Sequence, residues 1–272
     1  FGLPVLEPSI RFLYSAFVEH AHHAIYRVGE NLLDNYRACR EIGNTNVAFY
    51  SLGMGLHYML YSGRNLDHLE EIAQRYLKTA RDANQHMIGE YLLQVLQVAS
   101  DLRQDHFPHQ VFAGPYFSTT TLDLSREIDR SKNSDTTLRG LFIVLSYLKG
   151  DYGAIHAPGA KLLLYNKERG HNTVHANFNV FFILAARLKD TTTTRKGWIR
   201  KWKKKLELWA QSAPENYGPL NKILDGLIQE KWGTGVGAGV AYRAAYNLAL
   251  TGDNPFVLGI VAEEYGRYLY ES

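Results

Sequence analysis

A helical hairpin interrupted by glycines is the sequence feature that most constrains the fold of this chain. Within residues 206–249, two apolar stripes at the spacing of one helix face flank the glycines between Gly233 and Gly239. The first stripe comprises Leu220, Ile223, Leu224, Leu227 and Ile228. The second comprises Ala238, Ala241, Tyr242, Ala245, Leu248 and Ala249. The small residues of the second stripe permit close helix approach, and their offsets from Gly233 match those of a tetratricopeptide-type hairpin.

The same helical period recurs along most of the chain. Five stripes with short glycine or polar breaks precede residue 105, and further stripes fill the second half. Gly43-Asn44 and Gly63 are predicted to end two helices, and Asn65 or Asp67 to cap the next one. We therefore predict an all-α, tetratricopeptide-like right-handed superhelix of stacked helical hairpins, with about eleven or twelve helices.

Individual stripes carry local expectations. Ile10, Leu13 and Phe17 are expected to face inward from the first helix. The stripe between Val174 and Leu188 is the most apolar, so we expect it in the middle of the array. Pro158 is expected to kink its helix or to mark the first turn.

The helical pattern lapses in the middle of the chain. Prolines, glycine and a threonine run interrupt it, and only Leu122 to Ile128 has the spacing of a short helix. Long irregular segments are uncommon in compact domains, so function or variability is expected here. The chain is predicted to be a single helical-repeat array over 1–272, or two sub-arrays, 1–105 and 135–272, joined by the irregular segment 106–134.

Composition limits the partners and the compartment. Across 272 residues the formal charge is +3 with 21% charged residues, which gives no general preference for nucleic acid. The single cysteine, Cys39, excludes an intramolecular disulfide and favours a reducing compartment, so a cytoplasmic location is expected. No apolar run approaches the roughly 20 residues that span a bilayer. Without an initial Met or a leader, the chain is expected to be a piece of a longer protein.

Motifs for catalysis, cofactors and metals are weak. The glycines after Gly233 follow a helical pattern and lack a Gly-Lys-Ser/Thr sequence, which favours an interhelical turn over a phosphate loop. No nucleophile motif surrounds Cys39. The histidines offer two spacings that could bind a metal, His171 with His175 and His106 with His109, and one cluster, His20 with His22 and His23. His171 and His175 could share a helix face but lack a Cys, Asp or Glu partner at ligand spacing, so surface or capping roles are expected for these histidines. We therefore expect no catalytic residue, no cofactor-binding residue and no metal ligand.

A basic helix with sequence RKGWIRKWKKKLELW precedes the opening hairpin. Trp198, Trp202, Leu206 and Trp209 are spaced four, four and three residues apart, which predicts one buried face. The candidate interaction patch on the remaining surface comprises Arg195, Lys196, Arg200, Lys201, Lys203, Lys204 and Lys205. Because most charge runs are simply solvated, a solvated face is the first interpretation. Docking of an acidic protein, an anionic lipid surface or nucleic acid is the alternative.

Several segments together resemble one known family. The most specific element is formed here by Trp209, Ala210, Ala213, Pro214, Glu215, Asn216 and Tyr217. The later AYRAAYNLA and FVLGIVAEEYGRYLY, and the earlier FVEHAHHAIYRVGENLL, resemble helices of the same region in the same order. The family is that of the multi-sensor multi-kinases, in which a Ser/Thr kinase-like domain and an AAA-type ATPase domain precede a tetratricopeptide-like helical segment. Sensor and output domains, often GAF and histidine kinase domains, follow that segment.

The resemblance implies a non-catalytic helical-repeat scaffold in a signalling ATPase or kinase, coupling a nucleotide-binding domain to sensor and output domains. The expected partners are neighbouring domains of the same polypeptide, or protein and peptide partners. Two alternatives remain open at this point. One is an α/α-toroid enzyme, which requires a deep central pocket with converging carboxylates, and the other is a free-standing adaptor protein.

Overall fold

A computed structural model describes the parts of the chain that carry the helical patterns. The described residues are 6–104, 112–117, 132–169, 173–190, 194–233 and 235–272. Within these ranges the chain forms twelve α-helices and one short 3₁₀ helix, η1 (Glu19–Ala21), without a strand. The α-helices are α1 (Glu7–Phe17), α2 (Ile25–Glu41), α3 (Thr45–Tyr61), α4 (Leu66–Asp82), α5 (His86–Leu102), α6 (Lys132–Leu148), α7 (Tyr152–Arg169), α8 (Val174–Lys189), α9 (Lys196–Ser212), α10 (Pro214–Trp232), α11 (Gly235–Thr251) and α12 (Pro255–Glu271).

Helices that follow each other in the chain pack as hairpins. The most extensive contacts join α2 with α3, α4 with α5, and α10 with α11. Alternate helices also touch, because α3 contacts α5, α6 contacts α8, and α10 contacts both α8 and α12. Contacts of both kinds are typical of stacked helical repeats. The predicted all-α architecture of helical hairpins is confirmed.

The inner layer of helices curls back on itself. Beside its contact with α5, helix α3 touches α8, and α5 touches α6, which in turn touches α8. Helices α3, α5, α6 and α8 therefore form a closed ring of contacts. At the end of α3, the backbone carbonyl of Tyr61 accepts a hydrogen bond of 3.2 Å from the side chain of Asn254, which caps α12. The first and last hairpins thus meet.

Local sequence signals set the helix boundaries in the first half. Gly43 and Gly63 adopt φ angles of +74° and +69°, the left-handed region that ends a helix most readily at glycine. Asn44 caps α3, and Asn65 caps α4, since each side-chain oxygen accepts a hydrogen bond from a backbone N–H of the first turn. Both predicted helix ends are confirmed, and Asn65 rather than Asp67 is the cap.

The turn between α10 and α11 is shorter than predicted. Helix α10 ends before Gly233 and α11 begins at Gly235, so Gly237 and Gly239 belong to the helix and not to the turn. Packing explains these glycines, because a Cβ atom on Gly239 would lie 3.0 Å from the Tyr268 hydroxyl of α12. They allow close contact between helices where the sequence pattern suggested only a flexible connection.

The first helix departs from its predicted orientation. Pro8, Ser15 and Ala16 are buried, whereas Ile10 is 62% exposed and Leu13 is 55% exposed. Helix α1 contacts η1, α2 and α3, and Phe17 of the predicted stripe is partly buried against the core, whereas Ile10 and Leu13 stay exposed. The predicted helix is confirmed, but among the described residues no neighbouring element buries Ile10 and Leu13.

The most apolar helix lies in the middle of the array, as predicted. Almost every residue of α8 is buried, and the helix contacts α3, α6, α7, α9 and α10. Pro158 lies inside α7, which continues through it from Tyr152 to Arg169, so this proline does not mark a first turn.

Part of the irregular middle segment packs on α5. The backbone N–H groups of Tyr116 and Phe117 donate to the side-chain oxygen of Gln97 at 3.1 and 3.2 Å. The N–H of Phe112 donates to the Asp101 carboxylate at 3.2 Å. The expected short helix from Leu122 to Ile128 lies outside the described residues. Helix α6 begins at Lys132, slightly earlier than the predicted restart at residue 135.

Candidate functional site

A cavity of about 310 Å³ lies against the ring formed by α3, α5, α6 and α8, and α1 and α7 complete its wall. Its volume is at the lower end of the roughly 300–1,000 Å³ that small-molecule pockets occupy. The lining residues are Phe12, Leu13, Phe17, Tyr50, Gly53, Met54, His57, Met87, Ile88, Tyr91, Thr136, Thr137, Leu162, Tyr165, Asn166, Thr173, His175 and Ala176. Aromatic and aliphatic groups therefore form most of the wall, with a few polar groups between them.

The helical period places these side chains on the cavity. On α3, Tyr50, Gly53, Met54 and His57 follow each other at the i, i+3, i+4 and i+7 positions of one helix face. Gly53 is small among large neighbours, and a Cβ atom there would already touch the Tyr91 ring of α5 at 3.5 Å. The missing side chain leaves room between α3 and α5, and the other helices close around it.

His57 is the most deeply buried of the polar residues in the wall. Only 2% of the surface of His57 is exposed, and this burial lowers the pKa of its imidazole. The Nδ1 atom donates a hydrogen bond to the Gly53 carbonyl at 2.8 Å, which fixes the neutral tautomer with the proton on Nδ1. Nε2 is then a pure acceptor, and it has no hydrogen-bond partner among the described residues.

Two further rings flank the His57 imidazole inside the cavity. Tyr91 packs edge-on against it with ring centroids 5.9 Å apart, and the His175 ring lies 6.2 Å away. Burial raises the pKa of Tyr91, whose hydroxyl bonds to Thr137. His175 shares a hydrogen bond of 3.1 Å with the Thr173 hydroxyl that caps α8. Burial therefore keeps both His57 and Tyr91 uncharged at neutral pH.

The histidine groups singled out in the sequence lie partly outside the described residues. His171, His106 and His109 lie outside the described residues. Among the residues that are described, no group of three or more His, Cys, Asp or Glu is arranged to hold a metal ion. The described residues of the cavity wall likewise include no carboxylate, the group that an α/α-toroid enzyme was expected to place there.

The predicted interaction patch on α9 divides into two kinds of residue. Arg195, Lys196, Arg200, Lys201, Lys204 and Lys205 are exposed. Lys203 is only 8% exposed, and its Nζ atom pairs with Asp225 of α10 at 2.8 Å and with Glu207 at 2.5 Å. Lys203 therefore acts inside the structure and does not belong to the surface patch. On the opposite face, Trp202 and Leu206 are buried as predicted, whereas Trp198 and Trp209 are only partly buried and pack against the same core.

The Pro-Glu-Asn element connects the two ends of the array. Asn216 is buried in α10 and donates hydrogen bonds to the backbone carbonyls of His20 and His23, each at 2.9 Å. Tyr217, also buried, has its hydroxyl 2.9 Å from His20 Nδ1 and accepts a hydrogen bond from Asn177 at 3.3 Å. The expectation of a surface role is therefore wrong for His20, which is fully buried.

A buried ion-pair network joins α6, α8 and α12. The Glu264 carboxylate is 2% exposed and accepts hydrogen bonds from Lys189 Nζ at 2.6 Å and from the Tyr147 hydroxyl at 2.5 Å. Arg267 of the same helix lies 3.4 Å from the second carboxylate oxygen. Sequence reasoning missed this network because its members come from three helices and share no local motif.

None of the helices in the described ranges combines the length and the apolar content that a bilayer crossing requires. Comparisons of the chain with protein-family models, with curated proteins and with solved structures return no match.

Proposed function

We propose that this chain is a non-catalytic helical-repeat scaffold of a multidomain signalling ATPase or kinase, where it couples a nucleotide-binding domain to sensor and output domains. The resemblance carried by Trp209 to Tyr217 supports the family. The observation that carries the scaffold role is the exposed apolar surface on α1 and on α11, near the two ends of the array.

These two surfaces are unlike the polar outer faces that normally lie at the ends of a repeat array. On α1, Ile10 is 62% exposed and Tyr14 is 44% exposed, one helical turn apart. On α11, Val236 is 81% exposed and Val240 is 68% exposed, again one turn apart. Clustered apolar side chains on a surface mark contact sites, so each end offers a surface to a neighbouring domain.

A coupling scaffold also has to hold its ends at a fixed separation. The hydrogen bonds of Asn216 to the carbonyls of His20 and His23 join α10 to the beginning of α2. Asn254 joins α12 to the end of α3 in the same way. These contacts oppose bending between the first and last hairpins. A rigid array of this kind supports the proposed role, because a movement of a domain at one end would displace the domain at the other end.

The test uses the natural full-length protein that contains this chain. The double variant Val236→Gln with Val240→Gln removes the apolar surface of α11, and Asn247→Gln, an exposed polar position of the same helix, is the matched control. Because the valines are exposed, the isolated chain should keep its melting temperature. In the full-length protein we expect the nucleotide-dependent change in output activity to fall about tenfold, equivalent to 1.4 kcal/mol, with nucleotide binding unchanged.

Three results would contradict the proposal. One is full coupling in the double valine variant. Another is a natural full-length protein without a nucleotide-binding domain, which would favour the free-standing adaptor. The third is turnover of a substrate by the isolated chain, which would favour the enzyme.

A further inference from the structure

The cavity between α3, α5 and α8 has the shape and wall of a small-molecule site. Leu13 and Tyr50 line it and are 55% and 43% exposed, so the cavity meets solvent along these two side chains. Its inner part reaches Ile88 and His57, which are 1% and 2% exposed. A pocket that runs from solvent to buried apolar groups can remove most of a small ligand from water, which is the main source of affinity for such ligands.

His57 supplies one polar group of defined character at the inner end. Its Nδ1–H is used by the Gly53 carbonyl of its own helix, so Nε2 presents a lone pair from the part of the ring farthest from the α3 backbone. This atom is buried and has no protein partner among the described residues. A buried acceptor without a donor costs about 1–3 kcal/mol, and a ligand donor placed there recovers that free energy.

We infer that the cavity binds a small, neutral, mainly aromatic molecule that carries one hydrogen-bond donor, and that His57 Nε2 accepts the hydrogen bond. Neutrality follows from the wall, because its described residues include no Asp, Glu, Lys or Arg to pair with a charged ligand. The aromatic character follows from the rings of Tyr91, Tyr50 and Phe12, which favour edge and stacked contacts. This inference goes beyond the scaffold role and does not depend on it.

The arrangement favours an organic donor over a metal ion. Zinc sites use at least three protein ligands from His, Cys, Asp or Glu. In the described wall only His57 and His175 are of these types, and the Thr173 hydroxyl already contacts His175 Nε2 at 3.1 Å. A buried acceptor without a protein partner, set among aromatic rings, is the pattern that recognises a phenol-like hydroxyl or a ring N–H.

The experiment compares two probes of almost equal shape, 2-naphthol and 2-methylnaphthalene, which differ in the presence of a donor. The affinity of each probe for the complete chain is measured by titrations that are monitored by NMR. We expect 2-naphthol to bind the wild-type chain about tenfold more tightly, as one hydrogen bond to an otherwise unpaired acceptor implies. His57→Phe keeps a ring in place but removes the acceptor, so the two probes should then bind equally. His68→Phe, which replaces an exposed histidine of α4, is the matched control and should keep the preference.

Two further measurements locate the binding site and keep the inference testable if His57→Phe fails to fold. Met87→Trp adds volume at the wall and should weaken both probes. In the wild-type chain, 2-naphthol should shift the ¹⁵N resonance of His57 Nε2 more than that of Nδ1, and 2-methylnaphthalene should not. Equal affinity of the two probes for the wild-type chain, a preserved preference in His57→Phe, unchanged binding in Met87→Trp, an unmoved Nε2 resonance, or no saturable binding of either probe would each overturn the inference.

Discussion

The side-chain amide of Asn216 donates a hydrogen bond of 2.9 Å to the backbone carbonyl of His20, although the two residues lie 196 positions apart in the sequence. The same amide donates to the His23 carbonyl at 2.9 Å, and its oxygen accepts from the Ile25 N–H at 3.3 Å. Because Asn216 is only 2% exposed, water has little access to replace these bonds. One side chain therefore fixes the turn before α2 to the first turn of α10.

Replacing Asn216 by alanine should destabilise the whole array. Three backbone groups lose their partner inside the protein. The buried groups of His20 and Ile25 cost about 1–3 kcal/mol each when unsatisfied, whereas the part-buried carbonyl of His23 costs less. We expect Asn216→Ala to lower the free energy of unfolding by about 3 kcal/mol or more in urea titrations. Gln211→Ala, at an exposed position of α9, is the control and should stay within about 0.5 kcal/mol of wild type. A loss below about 1 kcal/mol for Asn216→Ala would show that the contact is not structural.

The pair formed by Lys189 and Glu264 should show strong coupling. Both side chains are largely buried, and the Nζ to Oε1 distance is 2.6 Å. Removing Glu264 leaves Lys189 as an uncompensated buried charge, so Glu264→Leu should cost about 3–5 kcal/mol. Lys189→Met should cost less, because Glu264 keeps Arg267 at 3.4 Å. The double variant should be less destabilised than either single variant, since it leaves no lone charge. Strictly additive losses in a double-mutant cycle would rule out this coupling.

Lys203 and Lys201 should respond differently to the same substitution, although both belong to one basic run. Lys203 is 8% exposed and pairs with Asp225 and Glu207, whereas Lys201 is exposed. We expect Lys203→Met to cost about 1–2 kcal/mol, because Asp225 and Glu207 share this buried partner, although both carboxylates are partly exposed and Asp225 keeps Lys222 at 3.4 Å. Lys201→Met should change the free energy of unfolding by less than about 0.5 kcal/mol. Thermal and urea unfolding of the two variants measure this contrast, and equal losses would refute it.

The stability contributed by His57 should depend on pH. Burial lowers the pKa of His57 from the ordinary value of 6.5, so the folded state prefers the neutral ring. A group with a depressed folded pKa contributes stability that is present above its unfolded pKa and is lost as the pH falls towards the folded pKa. The free energy of unfolding of the wild type should therefore decline below about pH 6.5, by up to about 1.4 kcal/mol per pH unit from this one group.

The matched variant isolates that contribution. His57→Phe cannot protonate, so its stability should decline less over the same pH range, and the other titrating groups cancel in the comparison. Urea unfolding between about pH 7.5 and 5 gives the difference. A difference between wild type and variant that stays constant over this range would contradict the assignment.

Local sequence signals predicted the helices but not their surroundings. Gly43, Asn44 and Asn65 act within a few residues of their own position, so their roles were visible in the sequence. The Ile10 and Leu13 stripe was equally visible, but burial depends on whether another element covers it, and no local pattern contains that information. Lys203 is the opposite case. The charge run predicts an exposed lysine, but Lys203 is buried because its partner Asp225 comes from the next helix.

The candidate site was hidden for a related reason. His57 lies seven positions after Tyr50 on one face of α3, with Gly53 between them. This spacing is the local sign that a histidine could lie beside the space left by a glycine. The cavity itself exists because six helices from different parts of the chain converge there. The buried role of His20 likewise depends on Tyr217, far away in the sequence.

Native-state hydrogen exchange tests the central claim most directly, namely that the first hairpins and the last hairpins form one body joined through Asn216. In the wild-type chain, the amides of α2 and α10 should exchange with the same opening free energy, and in Asn216→Ala both sets should lose protection together. Exchange of α2 to α5 at a lower free energy than α10, unaffected by Asn216→Ala, would show two independent sub-arrays and contradict the account.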